Sequence, residues 1–219
     1  MIEVLALIFV TGIVLLLLAA MLLPDEGRIK YRLDCVNNLK EASLAYRIWE
    51  GDNGGLYPTG VSVANGGAME LAARGDVSAI FQVMSNELST PKILLCPDDI
   101  NHFAATNFAV GFSSKNLSCF ASLDATNDSN PHLPLMGDDN FSVDSVSASP
   151  GLLNLSTNSS VGWLPGRHYA YNAHSWTSNH KRFMGNIAID DGSVWQFNSD
   201  DFQNALVNSG LTTNRLAIP

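Results

Sequence analysis

The chain opens with a long uncharged run, and this run limits what the chain can fold into more than any other feature. In "MIEVLALIFVTGIVLLLLAAMLLP", residues 4–23 carry no charge, and Glu3 is the acidic residue that precedes them. A helix of this length, at about 1.5 Å per residue, crosses the roughly 30 Å hydrocarbon core of a bilayer. Since no basic segment precedes the run and no A-x-A site follows it, the run predicts a retained transmembrane helix and not a signal peptide.

The residues after Pro24 predict that the helix continues with one apolar face. Their apolar side chains recur at spacings of four, three, four and three residues, namely Cys35, Leu39, Ala42, Tyr46 and Trp49. The segment 51–55, "GDNGG", should end the helix, because Gly and Asn tolerate the left-handed conformations of helix ends. We therefore expect one helix, kinked at Pro24, with a transmembrane half at 1–24 and a half at 25–50 that is embedded in a head domain at 25–219.

The sequence beyond the helix predicts an α+β head. The expected elements are a short helix at 76–88, strands at 92–96 and 116–125, a loop with short strands such as "LPLMGDD" at 126–160, and a hairpin in "GNIAIDDGSVWQF". The dipeptide Asp191-Gly192 suits a type I′ turn between the two hairpin strands. Ser199 is expected to cap a last helix, which ends before Gly210.

Charge and cysteine content exclude several classes of protein. The chain has 12 Lys and Arg residues against 21 Asp and Glu residues, and the net charge of −9 argues against a nucleic-acid partner. Three cysteines are too few for a disulfide scaffold, and they form no C-x-x-C pair, which argues against a zinc site. Their odd number allows one disulfide and one buried thiol in an oxidising compartment.

No group of residues predicts an enzyme, a metal site or a cofactor. The candidate metal ligands are three histidines and two pairs of aspartates: His168, His174, His180, Asp138, Asp139, Asp190 and Asp191. The histidines are six residues apart, which fits no helical ligand pair, and the aspartate pairs follow no EF-hand pattern, although calcium binding by them stays open. Because the chain also lacks a G-x-S-x-G motif, we expect no catalytic residues.

Several strings in the chain resemble one family. "IEVL", "CVNNLKEASLAYRIWEGDNGGLYP", "FQVMSNELSTPKILLCP", "GNIAIDDGSVWQF" and "ALVNSGLTTNRLAIP" are similar to the type IV pilin-like, type II secretion pseudopilin-like proteins (prepilin-type N-terminal helix) of Verrucomicrobia and Planctomycetes. The resemblance implies a pilin-like fold, in which a long N-terminal helix packs on an antiparallel β-sheet head. It also implies a single-pass protein of the inner membrane with a periplasmic head. Its partners would then be other pilin-like subunits of a filament that serves protein secretion.

The resemblance gives Glu3 a role in assembly. In these proteins a glutamate near the start of the mature helix pairs with the free N-terminal amine of a neighbouring subunit, and Glu3 matches this glutamate. A carboxylate is costly in lipid by itself and tolerable beside a partner. The alternative is an interfacial acid that interacts only with the helix dipole. The family also has a short basic leader, so we expect either that this sequence begins at an internal Met or that leader processing has been lost.

We expect a disulfide between Cys35 and Cys96. Cys35 lies on the apolar face of the long helix, and Cys96 ends the predicted strand at 92–96, which should pack against that face. Such a bridge requires Cα atoms roughly 4.4–6.8 Å apart. Cys119, inside a predicted apolar strand, should remain a buried thiol.

Two classes of function therefore remain open. The first is a structural subunit of a secretion pseudopilus or pilus-like filament, and the second is a membrane-tethered extracytoplasmic module that binds a ligand without polymerising. Aromatic residues that would suit carbohydrate stacking in the second class are Trp163, Trp176, Trp195, Tyr169 and Tyr171, although burial in a core is the commoner reason for such residues. The basic residues after the span, Arg28, Lys30 and Arg32, leave the orientation open by charge alone.

Overall fold

The structure, a computed structural model, describes residues 2–22, 26–97, 99, 101–125, 132–164 and 184–219. Side chains are described up to residue 19 in the first helix and from residue 33 in the second. The chain divides into two units, Met1–Lys30 and Tyr31–Pro219, compared with the boundary after residue 24 that the sequence predicts.

The N-terminal part of the chain forms two helices, α1 (Ile2–Leu22) and α2 (Glu26–Asp52). The kink expected at Pro24 lies outside the described residues. Helix α2 ends where the sequence predicts, and Gly54 and Gly55 follow it with φ values of 69° and 81°. These left-handed conformations are the ones that favour glycine after a helix end.

In the described part of the remaining chain there are four more α-helices and nine strands. The helices are α3 (Met69–Ala72), α4 (Val77–Val83), α5 (Ser85–Leu88) and α6 (Ser199–Asn208). The strands are β1 (Cys119–Ser122), β2 (Pro134–Asp138), β3 (Phe141–Val143), β4 (Val146–Ser147), β5 (Gly151–Ser156), β6 (Val161–Trp163), β7 (Met184–Ile189), β8 (Val194–Asn198) and β9 (Thr213–Ile218). These elements confirm the predicted α+β class.

Six of the strands form an antiparallel sheet in the order β5-β9-β1-β2-β7-β8, and β4-β3-β6 form a smaller sheet. The register aligns one residue from each strand in a row across the large sheet: Leu152, Ala217, Ala121, Met136, Ala188 and Val194. Three members of this row are alanines, so a helix can approach the sheet closely at this row. The buried face of α2 packs in the same core cluster as these alanines.

The opposite face of the large sheet carries bulky side chains. Phe120, Ile187 and Leu216 are sequence neighbours of the alanines, and they point to the other face because side chains alternate along a strand. Helix α6 and the small sheet cover this face, with Phe202 at the centre of a cluster of aromatic rings. Only glycine fits at position 185, because a Cβ there would lie 2.2 Å from the ring of Trp163.

Several predicted elements of the head are wrong in detail, and the single helix expected at 76–88 is two short helices, α4 and α5. The strand expected at 92–96 is a 3-10 helix, Pro91–Leu94, in which proline occupies the first position and the hydroxyl of Thr90 accepts a hydrogen bond from the N–H of Lys92. A proline at this position fixes a helical φ angle and provides no N–H for a strand ladder. The last helix is capped by Asn198 and not by Ser199, as its carboxamide oxygen accepts the N–H of Asp201 at 2.9 Å.

The hairpin of β7 and β8 is present, but its turn is not type I′. A type I′ turn needs positive φ at both central residues, and in the turn after Ile189 only Gly192 has a positive φ, at 86°. The N–H of Gly192 donates to the carbonyl of Ile189, and the N–H of Ile189 donates to the carbonyl of Ser193. This pattern is a type I turn followed by a left-handed glycine. A turn with two positive φ values occurs instead between β3 and β4, at Asp144 and Ser145.

Candidate membrane and assembly site

Helix α1 has the length and composition of a membrane span. Its 21 residues extend about 32 Å, which matches the hydrocarbon core of a bilayer. The described side chains of the helix, residues 2–19, are all exposed. Within the described part of the chain it is the one helix long and apolar enough to cross a membrane, a property of length and composition that a signal sequence shares.

Glu3 lies in the first turn of α1 and is the helix's one ionisable residue. The first turn leaves backbone N–H groups without partners in the helix, so a carboxylate there interacts favourably with the helix dipole. The polar residue at mid-helix, Thr11, donates its hydroxyl to the carbonyls of Leu7 and Ile8, each at 3.0 Å. Its hydroxyl is therefore satisfied inside the helix and does not oppose burial in lipid.

A disulfide in the first half of α2 joins this helix to the rest of the head. The structure joins Cys35 to Cys96 with their Cα atoms 4.8 Å apart, which is the pairing that the sequence predicts. The amide of Asn38, one turn further along, donates to the carbonyl of Leu95 at 2.9 Å. Cys119 is a buried free thiol, and burial raises its pKa, so it is a poor nucleophile.

A second attachment lies near the end of α2, at a group of residues that we call the Asp190 cluster: Arg47, Glu50, Tyr57 and Asp190. The hydroxyl of Tyr57 donates to Asp190 Oδ1 at 2.7 Å, and the guanidinium of Arg47 donates to the Asp190 backbone carbonyl. Arg47 also pairs with Glu50 at 3.3 Å. The cluster therefore connects α2 and the loop after it to the β7–β8 turn.

Asp190 is the buried member of this cluster whose hydrogen bonding is incomplete. Its residue surface is 1% exposed, and its Oδ2 atom has no hydrogen-bond partner among the described residues. Burial raises the pKa of Asp190, while the hydrogen bond from Tyr57 and the charge of Arg47 oppose the increase. The pKa of Tyr57 is also raised, mainly by burial and then by its bond to Asp190. From the sequence, Asp190 is only a turn residue and a possible calcium ligand. Its hydrogen bonds to Tyr57 and Arg47 could not be predicted from the sequence.

The outer face of α2 carries exposed apolar residues. The five residues of the predicted apolar face are all buried: Cys35, Leu39, Ala42, Tyr46 and Trp49. On the other side, Leu33, Leu44 and Ile48 are exposed, and Asn37, Lys40 and Glu41 lie among them. We call Leu33, Leu44 and Ile48 the outer stripe of α2. Periodicity predicts the inner face, whereas the outer stripe escaped the sequence analysis because its members are interrupted by polar residues.

The candidate metal ligands do not form a metal site in the described part of the chain. There, no three His, Cys, Asp or Glu side chains group closely enough to hold an ion. Asp138 instead accepts the backbone N–H and the side-chain amide of Asn186, at 2.7 and 3.0 Å. The three candidate histidines, His168, His174 and His180, lie outside the described residues.

One Ser, His and Asp combination occurs beside the disulfide, and sequence analysis missed it. The hydroxyl of Ser118 and Nδ1 of His102 both bond to Oδ2 of Asp99, at 2.7 and 2.6 Å. A serine nucleophile requires its hydroxyl to bond to the histidine, which would take its proton. Ser118 also accepts the N–H of Cys96 at 3.0 Å, so this network orders the loop after the disulfide.

The tryptophans considered for carbohydrate stacking have different environments. Trp163 is buried in the aromatic cluster under α6, whereas Trp195 on β8 is 59% exposed. Tyr169, Tyr171 and Trp176 lie outside the described residues.

Comparisons with protein-family models, with curated proteins and with solved structures found no match to this chain.

Proposed function

We propose that the chain is a membrane-anchored structural subunit of a secretion pseudopilus or a type IV pilus-like filament. The observation that carries this proposal is helix α1, which is apolar on every side and has its single carboxylate, Glu3, in its first turn. The resemblance of the sequence to pilin-like proteins supports the same function. In this proposal the helices of neighbouring subunits pack together and Glu3 pairs with a neighbour's amine.

The physical argument concerns the cost of a carboxylate in an apolar environment. An ionised side chain inside lipid or a helix bundle costs several kcal/mol unless it is paired. The helix dipole offsets only about 0.3–1 kcal/mol of that cost. A positive group from a neighbouring subunit offsets far more, so Glu3 favours association in one register over a monomeric anchor.

The outer stripe of α2 supplies a second surface for the same partner. Leu33, Leu44 and Ile48 are exposed on the helix that follows α1 in the chain, and their opposite face is already covered by the sheet. In the proposed filament the occupant of this stripe is the helix of another pilin-like subunit. Burying such side chains contributes about 25 cal/mol per Å² of apolar surface.

The disulfide supports an extracytoplasmic head. Structural disulfides persist in oxidising compartments such as the periplasm and are rare in the cytoplasm. We therefore propose an inner-membrane, single-pass topology in which the head that contains Cys35 and Cys96 is periplasmic.

Cross-linking of wild-type and variant chains in membranes tests the filament proposal. We expect Glu3→Ala to leave expression, membrane insertion and the melting of the head unchanged, because Glu3 is not part of the head's core clusters. It should abolish cross-linked multimers, because an unpaired partner in a bundle costs about 3–5 kcal/mol. Asp200→Ala, which removes an exposed acid of α6, is the matched control and should leave the multimers intact. Equal multimer yields for wild type and Glu3→Ala would contradict the proposal.

One observation favours the second candidate, a tethered binding module that does not polymerise. Trp195 is largely exposed in the head, where a purely structural subunit has no need of it. The two candidates differ in the same experiment, since a tethered module gives no multimers in wild type or variant.

A further inference from the structure

Trp195 combines exposure with a fixed side chain. It lies on β8, opposite the buried Ile187 of β7, and 59% of its surface is open to solvent. Its indole Nε1–H donates to the hydroxyl of Ser193 at 2.7 Å. An exposed tryptophan without such a bond loses side-chain conformational entropy when a ligand binds. Trp195 has already lost part of this entropy in the free protein, so binding costs less.

Ser193 connects the indole to a carboxylate. Its backbone N–H donates to Asp191 Oδ1 at 2.8 Å, within the turn between β7 and β8. Hydrogen bonds from the side chain and then the backbone of Ser193 lower the pKa of Asp191, so the carboxylate stays ionised in mildly acidic solution. A carboxylate has about four positions at which it accepts hydrogen bonds, and Ser193 occupies only some of them.

We propose that Trp195, together with Asp191, forms a binding site for a neutral saccharide. One face of a pyranose ring presents C–H groups that pack on an aromatic ring, and its edge presents hydroxyl donors for a carboxylate. The turn places these two groups on the same tip, joined through Ser193. The Asp191 carboxylate offers acceptors to sugar hydroxyls and no donor to a sugar carboxylate, so the site favours neutral sugars over acidic ones.

A protein partner fits this surface less well. Interface hot spots lie in apolar patches that exclude water, whereas the tip beside Trp195 consists of Asp191, Gly192 and Ser193. The saccharide site also does not depend on filament assembly, because its groups all belong to one hairpin of the head.

Binding is measured on the full chain in micelles of a polyoxyethylene detergent, since sugar-based detergents would compete. The probes are cellohexaose, chitohexaose and maltohexaose, and the signal is saturation transfer from the protein to the C–H protons of each sugar. This signal comes from the ligand, so it does not depend on tryptophan fluorescence. With one ring and few hydrogen bonds, we expect a Kd of about 1 mM for at least one probe.

Four variants separate the site from general surface effects. Trp195→Ala should reduce the transfer at least tenfold, Trp195→Phe should keep part of it, and Asp191→Asn should reduce it several-fold. Val110→Ala, at an exposed apolar residue elsewhere in the head, is the matched control and should change nothing. Thermal melts verify that each variant is folded.

Three results would overturn the proposal. The first is no transfer to any of the three sugars in wild type, and the second is equal transfer in wild type and Trp195→Ala. The third is a loss of cross-linked multimers in Trp195→Ala without any sugar binding in wild type, which would make this surface a contact between proteins.

Discussion

At the residue scale, the buried carboxyl of Asp190 attaches a helix to a sheet at a cost in desolvation. Its Oδ1 atom accepts the hydroxyl of Tyr57, and its carbonyl accepts the guanidinium of Arg47. Its Oδ2 atom remains without a partner among the described residues. Because water no longer stabilises its charge, burial raises the pKa of the Asp190 carboxyl in the folded head.

The raised pKa of Asp190 predicts a pH dependence of stability. A carboxyl whose pKa is higher in the folded state binds more protons there than in the unfolded chain. Its contribution to the free energy of unfolding is therefore complete below the ordinary Asp pKa, and it is lost as pH rises through the folded-state pKa. The Asp190→Asn variant keeps an oxygen acceptor for Tyr57 and has no charge. It should therefore remove the loss of stability with rising pH and raise the free energy of unfolding at neutral pH. Urea unfolding of the full chain in detergent, from about pH 4, near the ordinary Asp pKa, up to about pH 8, measures it. A steeper fall in the variant would contradict the account.

The hydrogen bond of Tyr57 gives a second prediction at this scale. Tyr57→Phe leaves Asp190 Oδ1 buried without its donor, so the head should lose about 1–3 kcal/mol of stability. The loss should be smaller in the Asp190→Asn background, since the carboxamide carries no charge. A double-mutant cycle with urea unfolding measures the difference, and additive effects would show that the two residues are not coupled.

The turn between β3 and β4 stores strain at two residues that have a Cβ atom. Asp144 and Ser145 have φ values of 49° and 68°, which glycine adopts without cost. We expect Ser145→Gly to stabilise the head by about 0.5–1 kcal/mol. Ser147→Gly, in strand β4, is the control and should destabilise the head slightly, because glycine weakens a strand. Thermal melts compare the two, and a lower melting temperature for Ser145→Gly would refute the strain.

At the element scale, α2 depends on attachments at two places, one in each half of the helix. The disulfide and the Asn38 hydrogen bond hold its first part, and the Asp190 cluster holds its last part. Between them, Ala121, Ala188 and Ala217 allow the helix to lie close to the sheet.

The disulfide should supply a large part of the head's stability. It spans 61 residues of sequence, so removing it frees a long loop in the unfolded chain and should cost about 2–5 kcal/mol. We expect Cys35→Ser with Cys96→Ser to lower the melting temperature of the head. The measurement is repeated with a reductant, which should lower the melting temperature of wild type and leave the double variant unchanged. If reductant lowered the melting temperature of wild type and of the double variant equally, the effect of reductant would not come from the Cys35–Cys96 disulfide.

Elements with a strong local pattern were predictable, and those defined by distant pairing were not. The inner face of α2 and the β7–β8 hairpin follow from periodicity and a turn motif. Strands β5 and β9 pair over six residues each. The sequence analysis expected only unspecified short strands in the range that contains β5, because Leu152 is partly exposed, and it did not predict β9, which obtains its core role from its neighbours in the sheet. The run at 92–96 reads as a strand from its apolar residues, but Pro91 starts a helical turn there.

The candidate sites follow the same rule. Cys35 and Cys96 were predictable because one lies on an apolar helix face and the other closes an apolar run. Tyr57 and Asp190 are far apart in sequence and meet only when α2 packs on the sheet, so no local pattern connects them. Trp195 was considered for carbohydrate stacking. Its exposure depends on how far α6 extends over the sheet, which the local sequence does not show.

At the scale of the whole molecule, the chain combines an apolar helix with a head that has two covered sheet faces. Both faces of the large sheet are covered within the head, by α2 on one side and by α6 with the small sheet on the other. The described residues of α1 have no such cover and expose their side chains all around. In the proposed filament, α1 is therefore the part of the chain that contacts lipid and neighbouring helices.

The most direct test of this assignment is cysteine cross-linking along α1 in membranes. Leu15, Leu16, Leu17 and Leu18 cover a full turn at about 100° per residue, and each is changed to Cys in turn. The native cysteines do not interfere, because two form the disulfide and Cys119 is buried. The account predicts cross-linked adducts with another subunit at one or two of the four positions, and their loss when Glu3→Ala is added. No adduct at any of the four positions, with every variant inserted in the membrane, would contradict it.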